Sequence, residues 1–337
     1  MNIKTYHHQQ AFTLDSGDIL PELHISYQVF GEANADKSNI IWICHALTGN
    51  TNPLEWWSGL VGEDRFYDPN EYQIICANVI GSCYGSTYAL STNPKTGNAY
   101  YHDFPLVTTN DMARAIDILR KSLGIHQIKS LVGGSLGAQV ALHWAIENPD
   151  LFEHVVLFAG NAQMSPWGIG FNETQRQAIL LDPTWPDKNP KAGLTGMKIA
   201  RQVGMLSYRH YDSYEVKQKD EDARLDDFKA NSYQRYQGEK LASRFDAFAY
   251  WTLSKAMDSH HVGRNRGGLI SALQKVKAKT LSVGIDTDLL FPKTEAQLIS
   301  RLVKNGHYKE IKSPYGHDAF LIEYEQLNYI LKSFYLN

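Results

Sequence analysis

The chain has 337 residues, of which 33 are lysine or arginine and 36 are aspartate or glutamate, so its formal net charge is −3. Hydrophobic residues make up 43% and charged residues 20%, a composition that is typical of globular proteins and excludes a disordered chain. The charge balance gives no reason to expect binding to nucleic acid or to an anionic membrane.

The cysteines and the N-terminal segment predict the compartment. Cys44, Cys76 and Cys83 cannot all pair within one chain and form no CxxC motif, so we expect free thiols in a reducing environment. The first residues lack the apolar segment of a signal peptide, and no apolar run approaches the ~20 residues that span a bilayer. We therefore expect a soluble, cytoplasmic protein.

The histidines give no sign of a metal site. None of the 13 histidines shows ligand spacing, and no bound metal is expected. The neighbouring residues His7 and His8 are expected to be a solvated pair.

Short apolar runs bounded by polar residues predict strands that are buried on both faces, as in a parallel sheet. Five such runs occupy residues 40–44, 72–80, 128–132, 154–158 and 280–285. Residues 24–30 alternate between apolar and polar side chains, which predicts an antiparallel strand at the N-terminal edge of the sheet.

Helical periodicity separates several of these strands. Residues 109–123 carry an apolar face, and we expect Asn110 or Asp111 to cap this helix and Gly124 to end it. A second helix is predicted over residues 138–147. Strands and helices that alternate at these lengths predict an α/β fold with a mostly parallel sheet.

The character of the sequence changes between residues 162 and 266. Strand-like runs disappear, and residues 201–208 and 241–257 predict amphipathic helices. The charged segment 217–224 is mixed in sign, which favours a solvated loop or helix face over a binding surface. The predicted organisation is an α/β core of residues 1–161 and 267–337 that is interrupted by an all-helical insertion at 162–266.

The strongest chemical signal is a G-x-S-x-G motif at Gly133, Ser135 and Gly137. It directly follows the strand at 128–132 and directly precedes the helix at 138–147, which is the context of a nucleophile elbow. A tight turn there exposes the serine hydroxyl at the carboxyl edge of the sheet, above a helix N-terminus that favours negative charge. The alternative is a glycine-rich turn in which the serine only caps the helix.

An acid and a histidine for such a serine follow it in the expected order. Asp286 and Asp288 come just after the strand at 280–285, where the acid of a catalytic triad belongs. His317 lies on a glycine-containing loop before the last predicted helix. The residues alone leave open which aspartate serves; the other is expected to be a turn or capping residue.

An oxyanion hole requires two backbone N–H donors near the serine. Leu136, the residue after the serine, supplies the first. The loop at 45–49 directly follows the strand at 40–44 and supplies candidates for the second. His45 is expected to shape this loop through hydrogen bonds and to have no catalytic role.

Five motifs occur in a fixed order along nearly the whole chain. They are His-Ala-Leu-Thr-Gly at 45–49, Gly-Ser-Cys-Tyr-Gly-Ser-Thr at 81–87, Asn-Pro-Lys-Thr-Gly at 93–97, Gly-Gly-Ser-Leu-Gly at 133–137 and Gly-His-Asp-Ala-Phe-Leu at 316–321. This set, with Ala200-Arg201 and Tyr208-Arg209 in the insertion, resembles the homoserine O-acetyltransferase family of α/β-hydrolase-fold enzymes. The ordered set is more specific than any of its members.

The resemblance implies an α/β-hydrolase fold with a helical lid and an acyltransferase of methionine biosynthesis. An acetyl group would pass from acetyl-CoA to the hydroxyl of L-homoserine by a ping-pong mechanism through an acyl-serine. Ser135 would be the nucleophile, Asp288 the acid and His317 the base. The N–H groups of Leu47 and Leu136 would form the oxyanion hole.

The resemblance also implies how the acceptor is bound. A lid arginine would hold its carboxylate, with Arg201 the first candidate and Arg209 the second, and Asp318 would meet its ammonium group. Acetyl-CoA would be a co-substrate, and no cofactor is expected. The lid would mediate a homodimer, and its Trp and Tyr content suits a protein–protein interface. A serine esterase with the same triad stays open, as does transfer that uses succinyl-CoA or L-serine.

Overall fold

The computed structural model describes residues 2–336, which contain ten strands and eleven α-helices. The strands are Lys4–His8 (β1), Phe12–Thr13 (β2), Ile19–Leu20 (β3), Leu23–Phe30 (β4), Ile40–Cys44 (β5), Gln73–Ala77 (β6), Ile128–Gly134 (β7), Phe152–Phe158 (β8), Lys279–Ile285 (β9) and Gly306–Ile311 (β10). The helices are Pro53–Trp56 (α1), Thr109–Ser122 (α2), Leu136–Glu147 (α3), Pro166–Leu180 (α4), Leu194–Tyr208 (α5), Tyr211–Gln218 (α6), Lys229–Ala242 (α7), Ala247–Asp258 (α8), Leu269–Leu273 (α9), Lys293–Leu302 (α10) and Tyr324–Leu336 (α11). Short 3₁₀ helices cover Tyr101–Asp103 and Gly316–Leu321.

Eight strands form one central sheet in the order β1-β4-β6-β5-β7-β8-β9-β10. The strands from β6 to β10 in this order run parallel, whereas β4 is antiparallel to both β6 and β1. Every residue of β5 is buried, because its alternate side chains enter apolar clusters on opposite faces of the sheet. The predicted α/β fold with a mostly parallel sheet is confirmed.

The position predicted for residues 24–30 is wrong in one respect. This segment, β4, is antiparallel as predicted, but it pairs on both sides and β1 forms the edge of the sheet. The residues of β1 are exposed or half-buried polar side chains, so no apolar pattern marks the strand in the sequence. Backbone hydrogen bonds to β4 hold it in place.

Two further strands differ from the predictions. β6 ends at Ala77 and not at residue 80, because the N–H of Val79 turns away and donates to Nε2 of His45. β10 was not predicted, since its exposed side chains interrupt any apolar run.

Two helix boundaries correct the sequence analysis. The cap of α2 is Thr108: its side chain accepts from the N–H of Asp111, and the carboxylate of Asp111 accepts from the N–H of Thr108. The single helix predicted over 241–257 is two helices, because Asp246 caps α8 by accepting from the N–H of Ala249. Gly124, with φ of +62°, follows the end of α2 as predicted.

Six helices, α4 to α9, and no strand occupy the described chain between β8 and β9. Within this segment α4 packs on α5, and α5 packs on α7. We call residues 162–266 the lid; these limits stay predictions. Among residues 2–336, no helix has the length and apolar character needed to cross a membrane.

Candidate active site

Ser135 lies on the turn between β7 and α3 with φ of 56° and ψ of −123°. A non-glycine residue rarely adopts a positive φ, and the N–H of Ser135 helps to hold the turn by donating to the carbonyl of Phe158 on β8. Close packing requires the flanking glycines: a Cβ at Gly137 would lie 2.0 Å from the carbonyl oxygen of Cys44, and one at Gly133 would lie 2.3 Å from that of Gly137. The motif therefore forms a strained strand-to-helix elbow, as its context predicts.

The structure brings Ser135, His317 and Asp288 into one hydrogen-bonded chain. Nε2 of His317 is 2.8 Å from Oγ of Ser135, and its Nδ1 is 2.7 Å from Oδ2 of Asp288. The second carboxylate oxygen of Asp288 accepts from the N–H groups of Leu290 and Phe291, each at 2.8 Å. Since three interactions orient the carboxylate, it presents one oxygen to the imidazole ring.

Asp286 has a different position. Its Oδ1 accepts from the N–H of Ser313, so it ties the loop after β9 to the loop that carries His317. The hydroxyl of Thr287 reinforces this link by donating to the carbonyl of Ser313 and accepting from the N–H of Gly316. Of the two aspartates that the residues alone left open, the structure thus places against the histidine only Asp288, the one that the family resemblance implies.

The charges around His317 favour its protonated form. Burial by itself would lower the pKa of this imidazole, but the negative charge and hydrogen bond of Asp288 and the charge of Asp318 outweigh it and raise the pKa. A histidine so placed can accept the proton of the Ser135 hydroxyl and remain stable as an imidazolium.

Two backbone segments meet beside the serine. Leu136 is the first residue of α3, and the N–H groups of a first helical turn have no partner within the helix. Leu47 lies in a turn closed by the bond from the N–H of Gly49 to the carbonyl of Ala46, and it lines the same cavity as Ser135. Both leucines predicted to supply N–H donors therefore border the serine.

Both ring nitrogens of His45 contact backbone groups. Its Nδ1 contacts the carbonyl of Ala46 at 2.9 Å, and its Nε2 accepts from the N–H of Val79. Burial lowers the pKa of this histidine to about 4, so it is neutral at physiological pH. These contacts shape the loop that carries Leu47.

A cavity of about 200 Å³ opens in front of Ser135 and His317. Five of its lining residues come from the lid, and they are Asn172, Arg201, Tyr208, Arg244 and Met257. The lid and the core therefore both line the cavity in front of the serine.

The two candidate arginines have different surroundings. Arg201 lines the cavity; its guanidinium lies 5.2 Å from the ring centre of Tyr208, which is itself 6.0 Å from the ring of His317. The Nε atoms of both arginines are buried and make no hydrogen bond among residues 2–336. Arg209 is not among the residues that line the cavity, and its Nε lies 3.2 Å from Oδ2 of Asp318. Asp318 therefore lines the cavity and forms an ion pair with Arg209, which does not line it.

Of the lid residues that line the cavity only Arg201 was a predicted site residue, and Arg244 is the second cation among them. Arg244 lies between α7 and α8 and donates to the carbonyl of Thr48, at 2.7 Å, and to the hydroxyl of Tyr84. It thereby links the lid to the loop that carries Leu47. The signal that could have found it is Asp246, a helix-capping residue that breaks the predicted helix and leaves Arg244 in a turn.

Known proteins are similar to this chain in both fold and sequence. A family model of the alpha/beta hydrolase fold matches residues 39–324. A homoserine O-acetyltransferase from Cyclobacterium marinum is 55% identical over 336 residues, which cover 100% of this chain and 96% of that protein.

Solved structures show how widely the backbone is shared. A homoserine O-acetyltransferase from Bacillus anthracis has a TM-score of 0.89 at 23% identity and covers 99% of this chain and 98% of its own. The structure titled esterase E22 also has a TM-score of 0.89, at 21% identity, with 99% of each chain covered. Since these two proteins match equally well, the backbone alone does not separate a transferase from an esterase.

Sequence identity, unlike the backbone, shows which family the chain belongs to. The similarity to the Cyclobacterium protein extends over the lid as well as the core, because it includes the entire chain. Identity of this level and extent shows that the protein belongs to the homoserine O-acetyltransferase family, whose members are enzymes of the α/β-hydrolase fold.

Proposed function

We propose that this enzyme transfers an acetyl group from acetyl-CoA to the hydroxyl of L-homoserine through an acyl-Ser135 intermediate. One observation carries the proposal: the cavity that Ser135 and His317 line is also lined by a cationic and an anionic residue, Arg201 and Asp318. An esterase that passes its acyl group to water needs neither charge, whereas an amino-acid acceptor needs both. The names of the relatives support homoserine as that acceptor.

The first half-reaction forms the acyl-enzyme. His317 takes the proton of Ser135 as Oγ attacks the thioester carbonyl, and the N–H groups of Leu47 and Leu136 stabilise the resulting oxyanion. Collapse of the tetrahedral intermediate breaks the C–S bond, and His317 returns the proton to the departing CoA thiolate. Asp288 stabilises the imidazolium throughout.

The second half-reaction uses the same groups in reverse. The acceptor carboxylate binds the Arg201 guanidinium, which suits it because it can bind both oxygens, and the acceptor ammonium binds Asp318. His317 then removes the hydroxyl proton as the hydroxyl oxygen attacks the acyl-serine carbonyl. Collapse of this second tetrahedral intermediate breaks the bond between the acyl carbon and Oγ of Ser135, and His317 returns the proton to that Oγ as the ester leaves. Arg209 is a positioning residue that holds the Asp318 carboxylate.

The size and charges of the cavity favour acetyl as the acyl group. A volume of about 200 Å³ leaves little space beside an amino acid, and a succinyl group would bring a second carboxylate. The other cavity arginine, Arg244, already donates to Thr48 and Tyr84. The proposed reaction requires no cofactor or metal besides acetyl-CoA as co-substrate.

Assembly as a homodimer through the lid stays a prediction. Large apolar side chains are exposed on α4, α5 and α6, and they include Leu180, Ile199, Leu206 and Val216. Such side chains support an interface only where they form one contiguous patch.

The acceptor role of Arg201 is tested by separating the half-reactions. In Arg201→Ala, we expect the burst of CoA released from acetyl-CoA without acceptor to be nearly normal, and kcat/KM for homoserine to fall about 10²-fold, because a charged hydrogen-bond partner is lost. Lys198→Ala is the matched control: Lys198 is a cation on the same helix, but it pairs with Glu239. Both are followed by stopped-flow detection of the CoA thiol.

The same assay separates the alternatives. An equal loss in burst and steady state for Arg201→Ala would show that Arg201 serves acylation or the fold, and Arg209 would become the candidate. Continuous CoA release that does not depend on homoserine would identify an esterase. Faster turnover with succinyl-CoA or with L-serine would correct the donor or the acceptor.

The pH dependence of acylation tests the environment of His317. The base must be neutral, so the rate falls as pH falls through its pKa, and the midpoint for the wild type is expected above 6.5. Asp318→Asn removes one of the charges that raise this pKa, so its midpoint is expected at lower pH. The CoA burst is measured without acceptor, so the proposed binding of the acceptor ammonium group by Asp318 does not affect the result. Glu323→Gln, which also removes a carboxylate from this loop region, is the control, and equal midpoints for Asp318→Asn and the wild type would contradict the prediction.

A further inference from the structure

Two histidines and a glutamate meet at the edge of the sheet, far from Ser135 in both sequence and space. In the antiparallel pairing of β1 with β4, His7 lies directly opposite His24, and their ring centres are 4.3 Å apart. Glu22 directly precedes β4, and its carboxylate oxygens lie 2.8 Å from Nε2 of His7 and 3.9 Å from Nε2 of His24. One ligand atom from each residue lies within 4.8 Å of the other two.

We propose that His7, His24 and Glu22 bind a divalent transition-metal ion of the Zn²⁺ class. Two imidazole nitrogens and one carboxylate oxygen are a ligand set that Zn²⁺ accepts, with water as a fourth ligand. In a tetrahedral site with bonds of about 2.0–2.1 Å, neighbouring ligand atoms are about 3.4 Å apart. The separations at this cluster lie on both sides of that value, so small side-chain rotations complete the site.

The three side chains are free to make this adjustment. Their exposed fractions are 40% for His7, 45% for His24 and 32% for Glu22, so an ion can reach them from solvent. The two strands fix the backbone on either side, because the pairing continues for five residues. A metal-free ion pair at such an exposed surface contributes little to stability, so the fold does not depend on this arrangement.

The site is separate from the acyl-transfer centre. Four strand spacings of about 4.8 Å, from β1 to β7, lie between the cluster and the strand that leads to Ser135. A bound ion would therefore hold the edge strand β1 on β4 and take no part in catalysis. Binding to the folded state alone would raise Tm by about 4 °C when free Zn²⁺ is a hundred times its Kd.

The test is a titration of the chelator-treated, full-length protein with ZnCl₂, followed by calorimetry, and with CoCl₂, followed by the visible absorption of tetrahedral Co²⁺. We expect one equivalent of metal for the wild type and at least a tenfold weaker Kd for His7→Ala, His24→Ala and Glu22→Gln. His8→Ala is the matched control, because His8 lies on the same strand but its side chain points to the opposite face. It should keep the wild-type Kd and the Zn²⁺-dependent rise in Tm.

Three results would overturn the proposal. The first is no stoichiometric binding by the wild type at millimolar metal. The second is binding that survives unchanged in His7→Ala and His24→Ala, since the metal would then bind elsewhere. The third is an equal loss in His8→Ala, which would contradict the geometry. Acetyl transfer by all four variants should equal that of the wild type, which shows that each variant is folded.

Discussion

Replacing Ser135 with alanine is expected to lower acetyl transfer about 10⁶-fold, because no acyl-enzyme can form without the hydroxyl nucleophile. The fold should survive the change. The side chain of Ser135 makes one hydrogen bond, to His317, and alanine meets the same backbone strain at φ of 56° as serine does. The loss of that bond costs about 1 kcal/mol.

The measurements are CoA release with acetyl-CoA and homoserine, and Tm for both proteins. Ser207→Ala is the matched control, since Ser207 is a buried serine whose hydroxyl also makes one hydrogen bond, to the carbonyl of Gly204 in the lid. This control should transfer acetyl groups at close to the wild-type rate. A Ser135→Ala protein that still consumed acetyl-CoA in the presence of homoserine would rule out the acyl-serine mechanism.

Asp288→Asn is expected to lower kcat/KM for acetyl-CoA about 10⁴-fold, because the imidazole of His317 would take the wrong tautomer. The amide oxygen of the new side chain can keep the bonds from the N–H groups of Leu290 and Phe291. Its NH₂ group then faces Nδ1 of His317 and donates to it. The ring proton is thereby forced onto Nε2, which can no longer accept the proton of Ser135.

Asp286→Asn provides the control from the same loop. Asp286 accepts one backbone hydrogen bond, from Ser313, and an amide oxygen can accept it equally well. We expect less than a tenfold effect on kcat/KM. If Asp286→Asn proved the more damaging variant, the assignment of the triad acid to Asp288 would be wrong.

Features that depend on near neighbours could be predicted from the sequence. The elbow at Ser135 follows from local steric requirements. A sharp turn from strand to helix leaves no room for a Cβ at positions 133 and 137, and both are glycine. The buried strands β5, β7, β8 and β9 follow from apolar runs that have no other stable location than the interior of a parallel sheet.

The break between α7 and α8 and the edge strand β1 could not be predicted from local sequence patterns. The apolar spacing over 241–257 continues across the break between α7 and α8, and the sequence does not show that Asp246 caps a new helix there. Strand β1 has no apolar face, so its pairing with β4 could not be read from its own residues.

The sequence by itself determined the α/β class, the elbow serine and the order of serine, acid and histidine, because apolar runs, helical periodicity and the elbow motif are local patterns and their order can be followed along the chain. The family resemblance implied Asp288 as the acid, but only the tertiary structure shows its contact with His317, the place of Arg201 on the cavity wall and the contact of Arg209 with Asp318. It alone brought His7 to His24. The physical reason is that such contacts join residues distant along the chain, and the packing of the whole molecule sets their separations.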